Sequence, residues 1–216
     1  CVPPRKEEMR RAAQDLIHAV CNAGVHLCMG QTRTAEQLKD AGFEAVINAV
    51  GAHSAAPRIP GIDSVNVADA WKVLAGEQQV YGTVAVIGGG LTGCEIAYEL
   101  ALQGRQPVIV EMKNDLIAQT GVCLANSSYL REWFAWKKVP VYLETTLQEV
   151  KDDSIVCKDA SGKEITIPCD SVISSAGYIP HPLVPKSSNV SLVGDCNGVG
   201  NLRSVVWRAY EVAMKI

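Results

Sequence analysis

An α/β fold with parallel sheets is predicted by three features of this 216-residue chain. Helical and strand-like apolar patterns alternate along most of its length. The glycine turn "VIGGGLTG", residues 86–93, joins an apolar strand to an amphipathic helix. A second strand ends in a Gly-Asp corner, "VSLVGD" at 190–195, before a last helix.

The elements follow in order. A first helix is predicted from Arg5 to Ala23, with Met9, Ala12, Ala13, Leu16, Ile17 and Val20 on one stripe. Pro3 and Pro4 lead into it and Gly24 ends it. "VHLCMG" reads as a strand, "TAEQLKDAG" as a short helix, and "EAVINAVGA" as a buried strand ending at Gly51. After a Pro/Gly/Ser-rich loop, "VADAWKVLAGE" reads as a helix. Strand 83–88, helix 91–103 and strand 107–111 then form a β-α-β unit. A helix over Ala125–Lys138 carries Leu130, Trp133 and Phe134. Short strands follow in "VPVYLE", "LQEVKDD", "SIVCKD", "KEITIP" and "SVISSAGY", with a hairpin turn at "DASGKE".

Composition limits the function classes. With 48% hydrophobic and 20% charged residues the chain can build a globular core. A net charge of −3 offers no footprint for nucleic acid or an anionic membrane. No apolar run reaches the ~18–20 residues of a membrane span, and no signal-peptide pattern precedes the first helix. Eight cysteines, at 1, 21, 28, 94, 123, 157, 169 and 196, form no CxxC pair and no zinc spacing. They read mostly as buried, inert thiols of a cytoplasmic protein. The chain opens on Cys1 rather than Met, and is read as a piece of something longer.

Gly88, Gly90 and Gly93 fit G-x-G-x-x-G in its required setting of strand, turn, helix and second strand. The spacing predicts a pyrophosphate at the N-terminus of helix 91–103, against Gly90, Leu91 and Thr92. Glu111, ending the second strand, stands 18 residues past Gly93, near the ~20 expected of the ribose-binding acid. A carboxylate there favours NAD over NADP, while Lys113 leaves room for a 2′-phosphate. None of the six tyrosines has Lys four residues on, which excludes the Tyr-x-x-x-Lys dehydrogenases. His18, His26, His53 and His181 supply no evident acid–base centre, and His53 and His181 read as ordinary loop histidines. A flavin that takes hydride directly is the simplest outlet.

The order "VINAVGA", "PRIPGI", "VAVIGGGLTGCEIAYELALQG", "VIVE", "VISSAGYIP" and "VSLVGD" resembles the two-dinucleotide-binding-domain flavoproteins. More narrowly, "VPPRKEEM" with "LVGDCNGVGNLRSVVWRAYEVAMKI" is similar to the C-terminal part of the 2,4-dienoyl-CoA reductase and 2-enoate reductase family. That resemblance implies a Rossmann-like FAD unit, residues 1–82 and 182–216, with an inserted NAD(P) unit, residues 83–181. It implies NAD(P)H at Gly88, Gly90, Gly93 and Glu111, with Glu95 near the nicotinamide and Gly177 passing close to the nucleotide. It places FAD beside Gly51, Ala52, Gly194 and Asp195, with Leu202 and Arg203 opening a helix that faces it. In that family an FMN-bearing TIM barrel and a 4Fe–4S cluster precede this part and would be its partners. The first glycine turn of the FAD unit has no counterpart in these 216 residues, and the chain alone is expected to be nearly inactive. A fragment of an NADH oxidase or disulfide-reductase relative, and a non-catalytic nucleotide-binding module, remain as alternatives.

Overall fold

The computed structural model describes residues 6–216. Pro3, Pro4 and Arg5, expected to lead into and begin the first helix, lie outside the described residues, as does Cys1. In chain order the elements are α1 (Glu7–Asn22), α2 (Ala35–Asp40), β1 (Val46–Asn48), β2 (Ala52–Ser54), β3 (Val67–Asp69), α3 (Ala70–Leu74), β4 (Thr83–Ile87), α4 (Leu91–Leu102) and β5 (Gln106–Val110). There follow α5 (Leu124–Lys137), β6 (Val141–Tyr142), β7 (Thr146–Val150), β8 (Ser154–Lys158), β9 (Glu164–Pro168), β10 (Ser171–Ser174), β11 (Tyr178–Pro180), β12 (Val190–Leu192) and α6 (Leu202–Ala213). They divide into two compact units, Lys6–His53 with Tyr178–Ile216, and Ser54–Gly177.

The second unit carries a five-stranded sheet in the order β3-β10-β4-β5-β6, every pairing parallel. Its central strands are apolar on both faces, as a sheet covered on both sides requires. Val84 and Val86 point to a cluster with Ile96, Ala97, Leu100 and Phe134 from α4 and α5. Ala85 and Val108 point the other way, onto Leu147, Ile155 and Ile167 of the antiparallel sheet β7-β8-β9. The period-2 alternation of strand side chains is what divides them.

The strand order reverses between β4 and β10, because β5 and β6 extend one edge and β10 and β3 the other. In open parallel sheets such a reversal opens a crevice at the carboxyl ends of the strands, where ligands bind. The glycine turn leaves β4 at that place. It is tied on both sides: Gly88 N–H donates to Val110 O at 2.8 Å, and Ser175 N–H, just past β10, donates to Ile87 O at 2.8 Å.

The first unit is lighter. Parallel strands β1 and β12 pair with Ile47 opposite Ser191. Asn48, 4% exposed, is its polar centre: Nδ2 donates to Val184 O, while its carbonyl accepts from Val193 N–H and the Cys196 thiol. The amphipathic stripes of α1 and α6 are present, but neither helix has a buried residue.

Four expectations change. Residues 54–82, assigned from the sequence to the first unit, fall with the second, since β3 pairs with β10 at the sheet edge. "VADAWKVLAGE" therefore divides, with Val67–Asp69 a strand and only Ala70–Leu74 helical; Asp69 caps that helix by accepting Trp71 N–H. "VHLCMG" forms no strand: Val25, Leu27 and Met29 are exposed, and an extended segment without a pairing partner gains nothing from β geometry. The strand expected through "EAVINAVGA" shortens to Val46–Asn48, with Ile47 45% exposed.

Phe134 is 1% exposed in the α4–α5 cluster. Phe134→Ala is expected to lower the unfolding free energy by about 3–5 kcal/mol, read from urea denaturation.

Candidate functional site

The site begins with what each glycine of the turn does. Gly88 has φ +108°, and a Cβ there would collide with the Ser175 carbonyl. At Gly93 a Cβ would fall on the Gly88 carbonyl oxygen, so α4 reaches the turn only because no side chain intervenes. Gly89, outside the three-glycine pattern, is constrained too: a Cβ would lie 3.0 Å from Glu111 Cβ and against Leu116 Cδ2. Gly90 differs. Its φ is −68°, a value any residue adopts, and a Cβ would meet only Gln119 Oε1, at 3.3 Å. Backbone packing demands glycine at 88 and 93; at 89 a Cβ would press on the side chains of Leu116 and Glu111, and packing does not demand glycine at 90.

Gly90 is also the N-cap of α4, and it has no side chain to satisfy the free N–H groups of the first turn. The contrast with α6 is direct. There Asn201 Oδ1 accepts Ser204 N–H, Ser204 Oγ returns a contact to Asn201 N–H, and the helix caps itself. The α4 terminus lacks such a side-chain cap, and the positive end of its dipole lies open there.

Glu111 braces this terminus. It is 8% exposed; Oε2 accepts Gly89 N–H at 2.6 Å and Oε1 accepts Lys113 N–H at 2.8 Å. Each carboxylate oxygen accepts about two hydrogen bonds, so each has one further acceptor position. The structural half of this role was missed in the sequence, where Glu111 read as a ligand acid alone. The segment after it is clamped as well. Ile117, at φ 51° and 3% exposed, donates its N–H to Gly89 O at 2.8 Å. Arg131 of α5 donates to Leu116 O and pairs with Asp115 at 2.9 Å. A β-branched residue held in the left-handed region costs on the order of 1–3 kcal/mol, which those contacts offset. Gln119, two residues on, brings its carboxamide over Gly90. Neither Gln119 nor Arg131 had a sequence signal, because a loop residue reaching back to a turn obeys no fixed spacing.

The remaining expected positions divide by unit. In the second, Leu91 packs on the α4–α5 core, Thr92 and Glu95 are half-buried on α4, and Gly177 has φ +99° with open space where a Cβ would stand. In the first, Gly51 has φ +85° and equally open surroundings, and Ala52 opens β2. Gly194 is buried with φ +66°, and Asp195 Oδ1 accepts Gly200 N–H at 3.0 Å, closing the corner before α6. Leu202 and Arg203 are exposed in the first turn of α6.

Of the seven described cysteines, Cys94, Cys157, Cys169 and Cys196 are buried, whereas Cys21, Cys28 and Cys123 are exposed. Burial, and then the Glu111 charge, push the Cys94 thiol up to about 12; its Sγ donates to Gly89 O. Burial raises Cys157 and Cys169 to about 11, in Cys157 with their mutual repulsion and in Cys169 with Asp170 beside it. These thiols stay protonated and are poor nucleophiles.

The sequence profile of the pyridine nucleotide-disulphide oxidoreductase family matches residues 6–203. The chain belongs to that family. Bilirubin reductase of Mediterraneibacter gnavus is 37% identical over 201 residues, covering 91% of this chain and 31% of the relative. Cinnamate reductase of Clostridium sporogenes is 31% identical over 221 residues, covering 100% and 33%. The chain thus spans about a third of the length of the curated relatives it matches. A 2-naphthoyl-CoA reductase structure in complex with 2-naphthoyl-CoA superposes with a TM-score of 0.86 at 24% identity, over 100% of this chain and 33% of that one. That likeness establishes the Rossmann-like α/β fold with mostly parallel sheets.

Two expectations follow. Glu111→Ala strands the Gly89 and Lys113 N–H groups and is expected to cost about 2 kcal/mol or more in urea unfolding. The unfolded chain releases thiol protons near pH 9, whereas the folded chain keeps that of Cys94 to about 12. Stability from this group is therefore full below pH 9 and falls as pH rises from 9 toward 12. Cys94→Ala is expected to flatten that fall.

Proposed function

We propose that this chain is the electron-input part of a flavin-dependent reductase of activated C=C bonds, of the enoate or 2,4-dienoyl-CoA reductase type, and that it holds NADH and FAD. The observation that carries the reading is Gly90. It is a glycine with ordinary backbone at an uncapped helix terminus, where a Cβ would meet only the flexible end of the Gln119 side chain, so a ligand accounts for it better than backbone packing does. The family match, and relatives named for reducing bilirubin and cinnamate, support the reductase assignment. Cinnamate carries a C=C bond conjugated to a carboxylate, the kind of bond an enoate reductase acts on.

In this reading the N–H groups of Leu91 and Thr92 face the pyrophosphate, where the helix dipole and the unpaired donors favour negative charge. The Gln119 carboxamide supplies a neutral donor beside them. The free acceptor positions of Glu111 take the ribose hydroxyls, and its charge opposes a 2′-phosphate, which favours NADH over NADPH. Glu95 stands toward the nicotinamide and Gly177 leaves room for the nucleotide. Gly51, Ala52, Gly194, Asp195 and the α6 start at Leu202 and Arg203 line the FAD side. When bound, the reduced nicotinamide supplies a hydride and the flavin accepts it, so no acid or base of this chain is required. A barrel with FMN and a 4Fe–4S cluster elsewhere in the same cytoplasmic protein is the partner that carries the electrons to substrate. A disulfide-reducing role finds less support, since the sequence holds no CxxC pair.

Calorimetric titration tests this. The wild-type chain is expected to bind NADH at one site and NADPH more weakly. Gly90→Ala is expected to keep stability within about 1 kcal/mol while weakening NADH by at least about tenfold, or ~1.4 kcal/mol. Gln119→Ala is expected to remove a single hydrogen bond, about 0.5–1.5 kcal/mol. A wild-type chain that binds no NADH, or a Gly90→Ala chain that binds it normally, contradicts the proposal.

A further inference from the structure

Two histidines that the nucleotide site does not use stand together in the first unit. His53 lies in β2, and His181 directly follows β11, the strand hydrogen-bonded to β2. Their ring centroids are 4.9 Å apart with the planes at 69°. Both residues are exposed, and His181 N–H donates to Gly51 O at 3.3 Å, so the rings are diagonal neighbours across the paired strands.

The spacing suits chelation. Imidazole nitrogens bind Zn²⁺ at about 2.0–2.1 Å in a tetrahedral arrangement, and each ring centroid lies about 1.2 Å behind its nitrogen, which puts the two centroids about 5 Å apart. The observed centroid separation of 4.9 Å is close to that figure. We propose that His53 and His181 form a surface site for a zinc-class divalent cation. Neutral imidazole prefers Zn²⁺, Cu²⁺ and Ni²⁺ to the hard cations Mg²⁺ and Ca²⁺. Among the described residues no group of three or more His, Cys, Asp or Glu side chains gathers to enclose a metal. Water therefore completes the coordination, and the site is open and exchangeable rather than a closed structural one.

The position gives the cation a task. The chain leaves the first unit after His53 and re-enters it at Tyr178, so β2 and β11 are its exit and return. A cation bridging the two rings staples exit to return and adds a cross-link that the unfolded chain lacks.

The test uses the full chain, with accessible thiols capped by iodoacetamide so that exposed Cys21, Cys28 and Cys123 do not compete. Titration with ZnCl₂ is expected to show one site, and MgCl₂ none. His53→Gln and His181→Gln are each expected to weaken Zn²⁺ by at least about tenfold. His26→Gln, an exposed histidine elsewhere, is expected to leave binding unchanged. Zn²⁺ is expected to raise the thermal midpoint of the capped wild type but not of the His53 or His181 variants. Absence of Zn²⁺ binding, wild-type affinity in either of those variants, or loss of the site in His26→Gln overturns the proposal.

Discussion

The close approach of α4 to the end of β4 is the constraint from which the rest of the second unit follows. The Gly88 carbonyl occupies the place where a Cβ of Gly93 would stand, and the Ser175 carbonyl the place where a Cβ of Gly88 would stand. With those contacts made, the first turn of α4 has to sit over the crevice where the strand order reverses between β4 and β10. The free N–H groups at its start then point to one spot. Glu111, Ile117 and Arg131 hold the surrounding segment against that spot, through hydrogen bonds that converge on Gly89 and Leu116.

Gly88 and Gly93 answer to backbone packing, Gly89 meets the side chains of Leu116 and Glu111, and packing does not demand glycine at 90. That division sorts the glycines of a single motif by what they touch, which a sequence pattern cannot do. Gly88, Gly90 and Gly93 were legible from spacing and from the flanking strands. Gly89 was not, because its neighbour Leu116 is 27 residues away in the chain and belongs to an irregular segment. Gln119 was hidden for the same reason. Glu111 was legible as an acid at a strand end, yet its bonds to Gly89 and Lys113 depend on the turn being folded.

Elements with strong periodicity were readable: α1, β4, α4, β5, α5 and the β7-β8-β9 meander all fall close to where their patterns put them. The failures have one physical cause. "VHLCMG" and "VADAW" carry little local signal, and their conformation is set by whether a pairing strand is present. Val67–Asp69 has β10 beside it and becomes a strand; residues 25–30 have no such partner. In the first unit Asn48 organises the corner through Val184, Val193 and Cys196, contacts of long sequence separation that no periodicity announces.

Capping separates the two long helices that follow glycine corners. Asn201 and Ser204 close the start of α6, while Gly90 leaves that of α4 open. The central claim is that this open terminus is the seat of a dinucleotide phosphate. Backbone amide resonances of the ¹⁵N-labelled chain, followed during addition of NADH, test it most directly. The account predicts that the largest shifts fall on Gly90, Leu91 and Thr92, and that the amides at the start of α6 move little. Saturable NADH binding that leaves the Gly90–Thr92 amides in place would contradict it.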